Sequence, residues 1–304
     1  MVAEFYIISE SFKDNLNLSA SEIEEKIKNM AQDFVLIKRY KDTNKIYVNH
    51  EIYSVIFING VTISELLFNP MAKEKYIDRD VKLALQKIIQ ESALTELIIN
   101  EIIELLPKHN EEICYGLIAF NKIENINSEY HIVYNINNWY EFKRYFLGIH
   151  PHRNDGEYFI EECKKYFPNL FFHERNKKTV TYILKDCSRK LIYHLTALND
   201  KFIYSNNMGT DRTQTLKHFS LAAELDETAS LEGDASRKNN FTFVFINNIG
   251  LPENVCCESH LKLCYNDSYP GDTSYSTDRR IYFHEGKQNI QQGKILIGHI
   301  GKHL

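Results

Sequence analysis

The sequence predicts an α+β protein of two or three domains, with helices packed on mixed or antiparallel sheets and a small C-terminal module of helix plus about four antiparallel strands. Three observations predict it. Apolar residues recur at helical spacing in some segments and in strict alternation in others. Short strand-like runs such as FTFVFINN and RRIYF are bounded by Gly, Asn and Asp breaks rather than joined into long segments. The 304 residues, 43% hydrophobic and 12% aromatic, suffice for a substantial core in more than one domain.

Taken in order, residues 3–11 read as an opening strand. Ser21 and Glu24 have capping-box spacing and start a helix through about Asp33, with Ile23, Ile27 and Met30 as one buried stripe. VLIKRY, IYVN and YSVIFINGVTI then read as a meander, Asn59-Gly60 marking a hairpin. Helices follow over Asp78 to Gln90 and Leu94 to Leu106, the second stopped by Pro107 and read as buried from Ile98 onward. ICYGLIAF and YHIVYNI read as strands, and Asn137 caps a helix carrying Trp139, Phe142 and Phe146. His150, His152 and Arg153 sit in a polar loop, since Pro151 and the following Asn-Asp-Gly oppose a chelating strand. Glu157 to Phe167 reads as helix, PNLFFHE as a short strand, and Leu184 to Tyr204 as a long helix with Leu191, Leu195 and Leu198 inward and His194 as a core or boundary histidine. A linker at 206–214 precedes a helix from about Thr213 to Leu231, capped by Asp211 or Thr213. These elements group as an N-terminal α+β domain (1–110), a central α+β region (111–207) and the C-terminal module (208–304).

The net charge of −5 opposes a protein that coats nucleic acid, although a local basic patch remains compatible with it. No apolar run reaches eighteen residues and the first residues lack a signal-peptide pattern, so the expectation is a cytoplasmic protein without membrane attachment. The six cysteines show no CxxC spacing and read as reduced thiols. Abundant Lys, Asn and Ile with little Gly, Pro or Trp is the signature of an AT-rich, bacterial type of coding genome.

Chemistry concentrates between Val255 and Leu304, read as three strands joined by polar turns. The two-residue period puts Glu258, His260 and Lys262 on one face of the first strand and Arg280, Tyr282 and His284 on one face of the second. Metal-free RNA cleavage needs a base for the 2′-hydroxyl, an acid for the leaving 5′-oxygen, and cations for the phosphorane-like charge. His260 or Glu258 supplies the base and His284 the acid. Lys262, Arg280 and Arg279 hold phosphate, and Tyr282 stacks on a base or orients the scissile group. His299 and His303 are placed in a terminal turn. This mechanism calls for no cofactor and no metal.

The order of helices, antiparallel strands, RRIYF and ILIGHIGKHL resembles the RelE/ParE-type toxin superfamily over at most residues 213–304. That resemblance implies a nuclease-like effector acting on RNA in a bacterial toxin or antiphage-defence setting, restrained by its own N-terminal part or by a protein partner. The 265–279 loop and the large N-terminal part depart from the pattern. Three other readings fit the same residues. One is a plain solvated sheet face in which Glu258 and Arg280 form a cross-strand pair. Another is a metal-dependent nuclease built from His260, His284, His299, His303 and Glu258, or from Glu258 with Lys262. The last is a non-catalytic sensor or adaptor subunit.

Overall fold

The computed structural model describes residues 1–13, 15–69, 77–123, 126, 129–152, 154–202, 211–233, 235–267 and 275–304. Arg153, residues 206–210 of the expected linker, the end of the expected long helix at 203–204 and the middle of the 265–279 loop lie outside them. The chain folds as helices and sheets in two compact units, Met1–Phe142 and Lys143–Leu304.

The first unit is built on a parallel sheet. Strand β1 (Val2–Ile7) leads into helix α1 (Ala20–Lys38), which returns the chain to β2 (Asn44–Asn49) lying parallel beside β1. An expected meander thus becomes a crossover, because the helix runs on through VLIK. The stripe of Ile23, Ile27 and Met30 continues at helical spacing through Phe34 and Ile37, all buried, and this outweighs the β-branched run. The capping box is Ser19 with Glu22, two residues before the expected pair. The Asn-Gly hairpin is present between β3 (Ile56–Ile58) and β4 (Val61–Thr62), with Asn59 and Gly60 at φ of 47° and 79°. Helices α2 (Ile63–Phe68) and α3 (Arg79–Gln90) follow.

The expected helix from Leu94 is instead strand β5 (Ala93–Thr95) and a shorter helix α4 (Ile99–Leu105), whose Ile98 cap residue and Ile103 are exposed. Strands β6 (Ile113–Ile118) and β7 (Ile132–Val133), read from sequence as central-region elements, complete the sheet in the order β5-β2-β1-β6-β7, parallel throughout. Helix α5 (Ile136–Ile149) runs across the division between the units. Its cap is Asn135, whose Oδ1 accepts from the backbone N–H groups of Asn137 and Asn138.

The second unit contains α6 (Gly156–Tyr166), β8 (Leu170–Phe172), α7 (Asn176–Thr179), α8 (Thr181–Ala197) and α9 (Arg212–Ala222), the last capped by Asp211. Strands β9 (Ser230–Leu231), β10 (Thr242–Ile246), β11 (Pro252–Cys256), β12 (Ser259–Cys264), β13 (Tyr275–His284) and β14 (Ile295–Lys302) follow. The run from Val255 to Cys264, expected as one strand, is divided at Cys257 and Glu258. Its first part pairs with β10 as a separate hairpin, and its second joins a five-stranded sheet. That sheet has the order β8-β14-β13-β12-β9, antiparallel except where β8, from the expected central region, adds parallel to β14.

One face of this sheet is apolar, with Leu261, Leu263, Ile281 and Phe283 buried and Phe283 meeting Phe202, which in turn meets Phe219 of α9. The other face is not open to solvent. The β10–β11 hairpin lies over it, and Phe241, Phe243, Phe245, Val255 and Cys257 form one cluster with Tyr282 and Leu296.

Strand β14 carries a bulge at Gly298, because Tyr282 pairs with His299 and the next residue, Phe283, pairs with Ile297. A Cβ on Gly298 would stand 2.4 Å from the Phe243 ring, so only glycine admits the hairpin there. Asn176, fully buried, spans the irregularity: its Nδ2 donates to the Ile297 carbonyl at 2.9 Å and its Oδ1 accepts from the Ile300 N–H at 2.7 Å. Asn176→Ala strips the buried Ile300 N–H of its partner and leaves the Ile297 carbonyl with the His173 N–H alone. It is expected to destabilise the second unit by about 1–3 kcal/mol, read as a lower urea midpoint; a midpoint equal to that of the parent would contradict the role.

Candidate functional site

The register brings His260 opposite Tyr282 and Lys262 opposite Arg280, so the face shared by these four side chains forms as the alternation requires. It also adds His299, directly across from Tyr282 on β14, where a terminal turn was expected. His260, Arg280 and His299 are buried and Tyr282 is fully so, because the hairpin covers them and Phe241 stacks on the Tyr282 ring at 5.0 Å.

Glu232, just beyond β9, organises the group. Its Oε1 accepts a hydrogen bond of 2.9 Å from the Tyr282 hydroxyl. The same oxygen lies 3.5 Å from Nδ1 of His260 and 3.5 Å from Nε2 of His303. Ser230, paired with His260 across the β9–β12 ladder, places its hydroxyl 3.1 Å from His260 Nε2. Nη2 of Arg237 sits 3.3 Å from His303 Nδ1. Two imidazoles therefore address one carboxylate oxygen, with a phenol bound to it and a guanidinium behind the second ring. Arg280 donates to the carbonyls of Ser276 and Arg279, and its buried Nε makes no hydrogen bond among the described residues.

Burial holds His260 down to about 4, against the raising effect of Glu232, so the ring is neutral near pH 7. Burial likewise lowers His299 to about 4, although its Nε2 faces the Lys302 carbonyl at 2.9 Å. Burial and then the hydrogen bond to Glu232 raise the Tyr282 phenol, which stays protonated and donates.

The remaining predicted residues are engaged elsewhere. Lys262 pairs with Glu227. Glu258 precedes the first residue of β12, so the alternation does not govern it, and its carboxylate pairs with Arg212 of α9. Arg212 also binds Glu285 and the Ser259 hydroxyl. His284 ends β13, and its Nδ1 accepts the Gly286 N–H at 3.0 Å; burial lowers its pKa. Arg279 binds Asp186 and the Tyr265 carbonyl. The six predicted residues thus divide: His260, Tyr282 and Arg280 belong to the buried face, whereas Lys262, Glu258 and His284 sit in separate contacts along its edge and ends.

Sequence reasoning missed Glu232, Ser230 and Arg237, and it named His299 and His303 only in a terminal turn or as alternative metal ligands. The signal for His299 was available, since β14 alternates as β13 does, but the bulge shifts the phase by one residue and conceals which side chains face Tyr282. Nothing in the string SLEGDASR marked Glu232 as a strand-edge carboxylate. Among the described residues, no group of three or more His, Cys, Asp or Glu side chains has the arrangement to hold a metal ion, and no helix is long and apolar enough to cross a membrane. Comparison with protein-family models, curated proteins and solved structures finds no match to this chain.

Proposed function

We propose that the second unit cleaves RNA by general acid–base chemistry at the Glu232 cluster, as a nuclease-like effector of a bacterial toxin or defence system. The observation that carries this reading is the pair of imidazoles, His260 and His303, each 3.5 Å from one oxygen of Glu232. RNA carries its own nucleophile, the 2′-hydroxyl, so the protein needs only to remove one proton, return another and stabilise charge. Neutral His260 accepts the 2′-hydroxyl proton, and the Glu232 carboxylate stabilises the imidazolium that results. His303, more exposed than His260, returns a proton to the departing 5′-oxygen. Arg280 and Arg237 offset charge on the phosphorus-bound oxygens, and the Tyr282 hydroxyl fixes the carboxylate.

The purified protein is expected to cut end-labelled RNA in excess chelator and to leave the DNA of the same sequence intact. Equal cleavage of both, or cleavage abolished by chelator, contradicts this chemistry.

A second reading is favoured by one observation: the face is closed, with His260, Arg280, Tyr282 and His299 buried and Lys262 tied to Glu227. Under that reading the buried cluster fixes the hairpin on the sheet and the protein is a non-catalytic sensor or adaptor. Its recognition surface is then the outer side of the hairpin, where Val244, Ile246, Ile249 and Leu251 are exposed. Failure to cleave any RNA, with the fold intact, selects this reading.

A further inference from the structure

In the parallel sheet of the first unit the chain adds β2 and β5 on one side of β1 and then β6 and β7 on the other, so strand order reverses between β1 and β6. Open sheets of this kind offer ligands a crevice outside the carboxyl ends of their strands. At the reversal itself the chain fills that crevice. The Ser11 hydroxyl accepts the Phe120 N–H at 3.0 Å, the Ser11 carbonyl accepts the Asn121 N–H at 3.1 Å, and Asn121 Nδ2 donates to Asn15 Oδ1 at 2.9 Å.

One strand over, a cleft of about 460 Å³ opens beyond the ends of β1 and β2. It lies between two short helical turns that pack together, Ser9–Phe12 following β1 and His50–Ser54 following β2. Buried Asn15 braces the surroundings, its Nδ2 donating to the Phe12 carbonyl at 2.8 Å and the Phe57 carbonyl at 2.9 Å. Asn49 caps the second turn by accepting the Glu51 N–H at 2.9 Å.

The polar side chains offered to the cleft are uncommitted. Glu10, Lys13, Glu51 and Ser54 line it, and among the described residues none of the four forms a side-chain hydrogen bond or an ion pair. Elsewhere in the same unit Glu4 and Glu91 each hold a lysine. Ser9 also lines the cleft and is only 6% exposed, yet its hydroxyl has no partner among the described residues, an open valence that a ligand would complete. Val55 and Ile56 add an apolar flank.

We propose that this cleft binds a ribonucleoside monophosphate, independently of the Glu232 cluster. Glu51, just past the carboxyl end of β2, accepts both hydroxyls of the ribose diol, as the paired oxygens of a carboxylate allow. The Ser9 hydroxyl bonds the sugar, Glu10 accepts an N–H of the base, and the base lies on Val55 and Ile56. Lys13 meets the phosphate as a point charge. Two carboxylates beside one ammonium oppose a longer phosphate chain. The helix that follows β1 seats no pyrophosphate either, because Ser19 and Glu22 already cap the N-terminus of α1. The cleft volume lies within the range of small-molecule sites, roughly 300–1,000 Å³.

The full-length protein would be titrated by calorimetry, in chelator, with AMP, GMP, CMP and UMP and with the 2′-deoxy form of each. At least one ribonucleotide is expected to bind at a single site, and its 2′-deoxy form about tenfold or more weaker. Glu51→Gln, an isosteric change at an exposed position, should weaken the ribonucleotide by a similar factor and leave the 2′-deoxy form unaffected. Lys13→Ala should weaken the nucleotide but not its nucleoside. No binding of any of the four at millimolar concentration, equal affinity for ribose and deoxyribose forms, or an affinity that ignores Glu51→Gln overturns the proposal. Binding lost in Glu232→Gln and kept in Glu51→Gln belongs to the second unit and overturns it as well.

Discussion

Taking the protein from pH 7 to pH 5 is expected to cost the second unit about 5 kcal/mol of stability. His194, His260 and His299 are buried and neutral, lowered to about 3, 4 and 4 respectively, each chiefly by burial. An unfolded histidine titrates near 6.5. Below that value the unfolded chain binds protons that the folded chain refuses, so stability falls with pH, starting near 6.5 and continuing to about 4 for two of the rings and 3 for the third. At pH 5 each ring contributes about 2 kcal/mol to the loss, and some solvent contact at His260 and His299 keeps the sum near 5. This is comparable with the whole stability of an ordinary domain. His194 is the cleanest case. It is fully buried in α8, and neither ring nitrogen has a well-formed hydrogen bond among the described residues. His194→Leu should therefore remove about 2 kcal/mol of the pH 5 penalty while the stability at pH 7 changes little. Denaturant midpoints that stay constant from pH 7 to pH 5 would contradict the burial of these rings as neutral groups.

Glu232→Gln and His260→Ala are expected to lower RNA cleavage by about 10²- to 10⁴-fold, the usual worth of a positioned acid–base group. Lys262→Ala and His284→Ala should each lower it less than about tenfold, since the proposed acid–base work falls to residues in the Glu232 cluster. Glu232→Gln keeps the shape and an acceptor for the Tyr282 hydroxyl, yet cannot stabilise an imidazolium. It therefore separates chemistry from folding, whereas His260→Ala also leaves a cavity beneath the hairpin. A rate measured alongside the thermal midpoint distinguishes the two effects. Activity that follows Lys262 and His284, and ignores Glu232, would return the chemistry to the sheet edge.

Much of this architecture was legible in the sequence wherever one period governed a whole element. The alternation put His260 with Lys262 on one face of β12 and Arg280 with Tyr282 on one face of β13, but the register that sets His260 opposite Tyr282 and Lys262 opposite Arg280, in place of an expected Glu258–Arg280 pair, is set by the fold. Helical spacing likewise found α3, α5 and α6 to within a residue or two. Legibility failed where long-range packing overrode local pattern. Val35, Leu36 and Ile37 read as strand, yet continue α1, where Ile37 with Phe34 completes the buried stripe and Val35 is exposed. The division of Val255 to Cys264 between a hairpin and a sheet is set by what each half packs against, which no local pattern carries. The same hairpin turns an expected solvated face into a buried one, and burial then sets the histidine protonation on which the proposed RNA cleavage rests. Glu232 reaches that face only because β9 adds to the free edge of β12, a pairing of two short segments distant in sequence.

The most direct test of the Glu232 site is the chemistry of the ends it leaves on RNA. Attack by the 2′-hydroxyl, with His260 as base and His303 as acid, predicts fragments ending in a 2′,3′-cyclic phosphate and beginning with a free 5′-hydroxyl, formed by the parent protein in chelator and lost in Glu232→Gln. Fragments carrying a 5′-phosphate and a 3′-hydroxyl would show that water, not the 2′-oxygen, attacked phosphorus, and would contradict it.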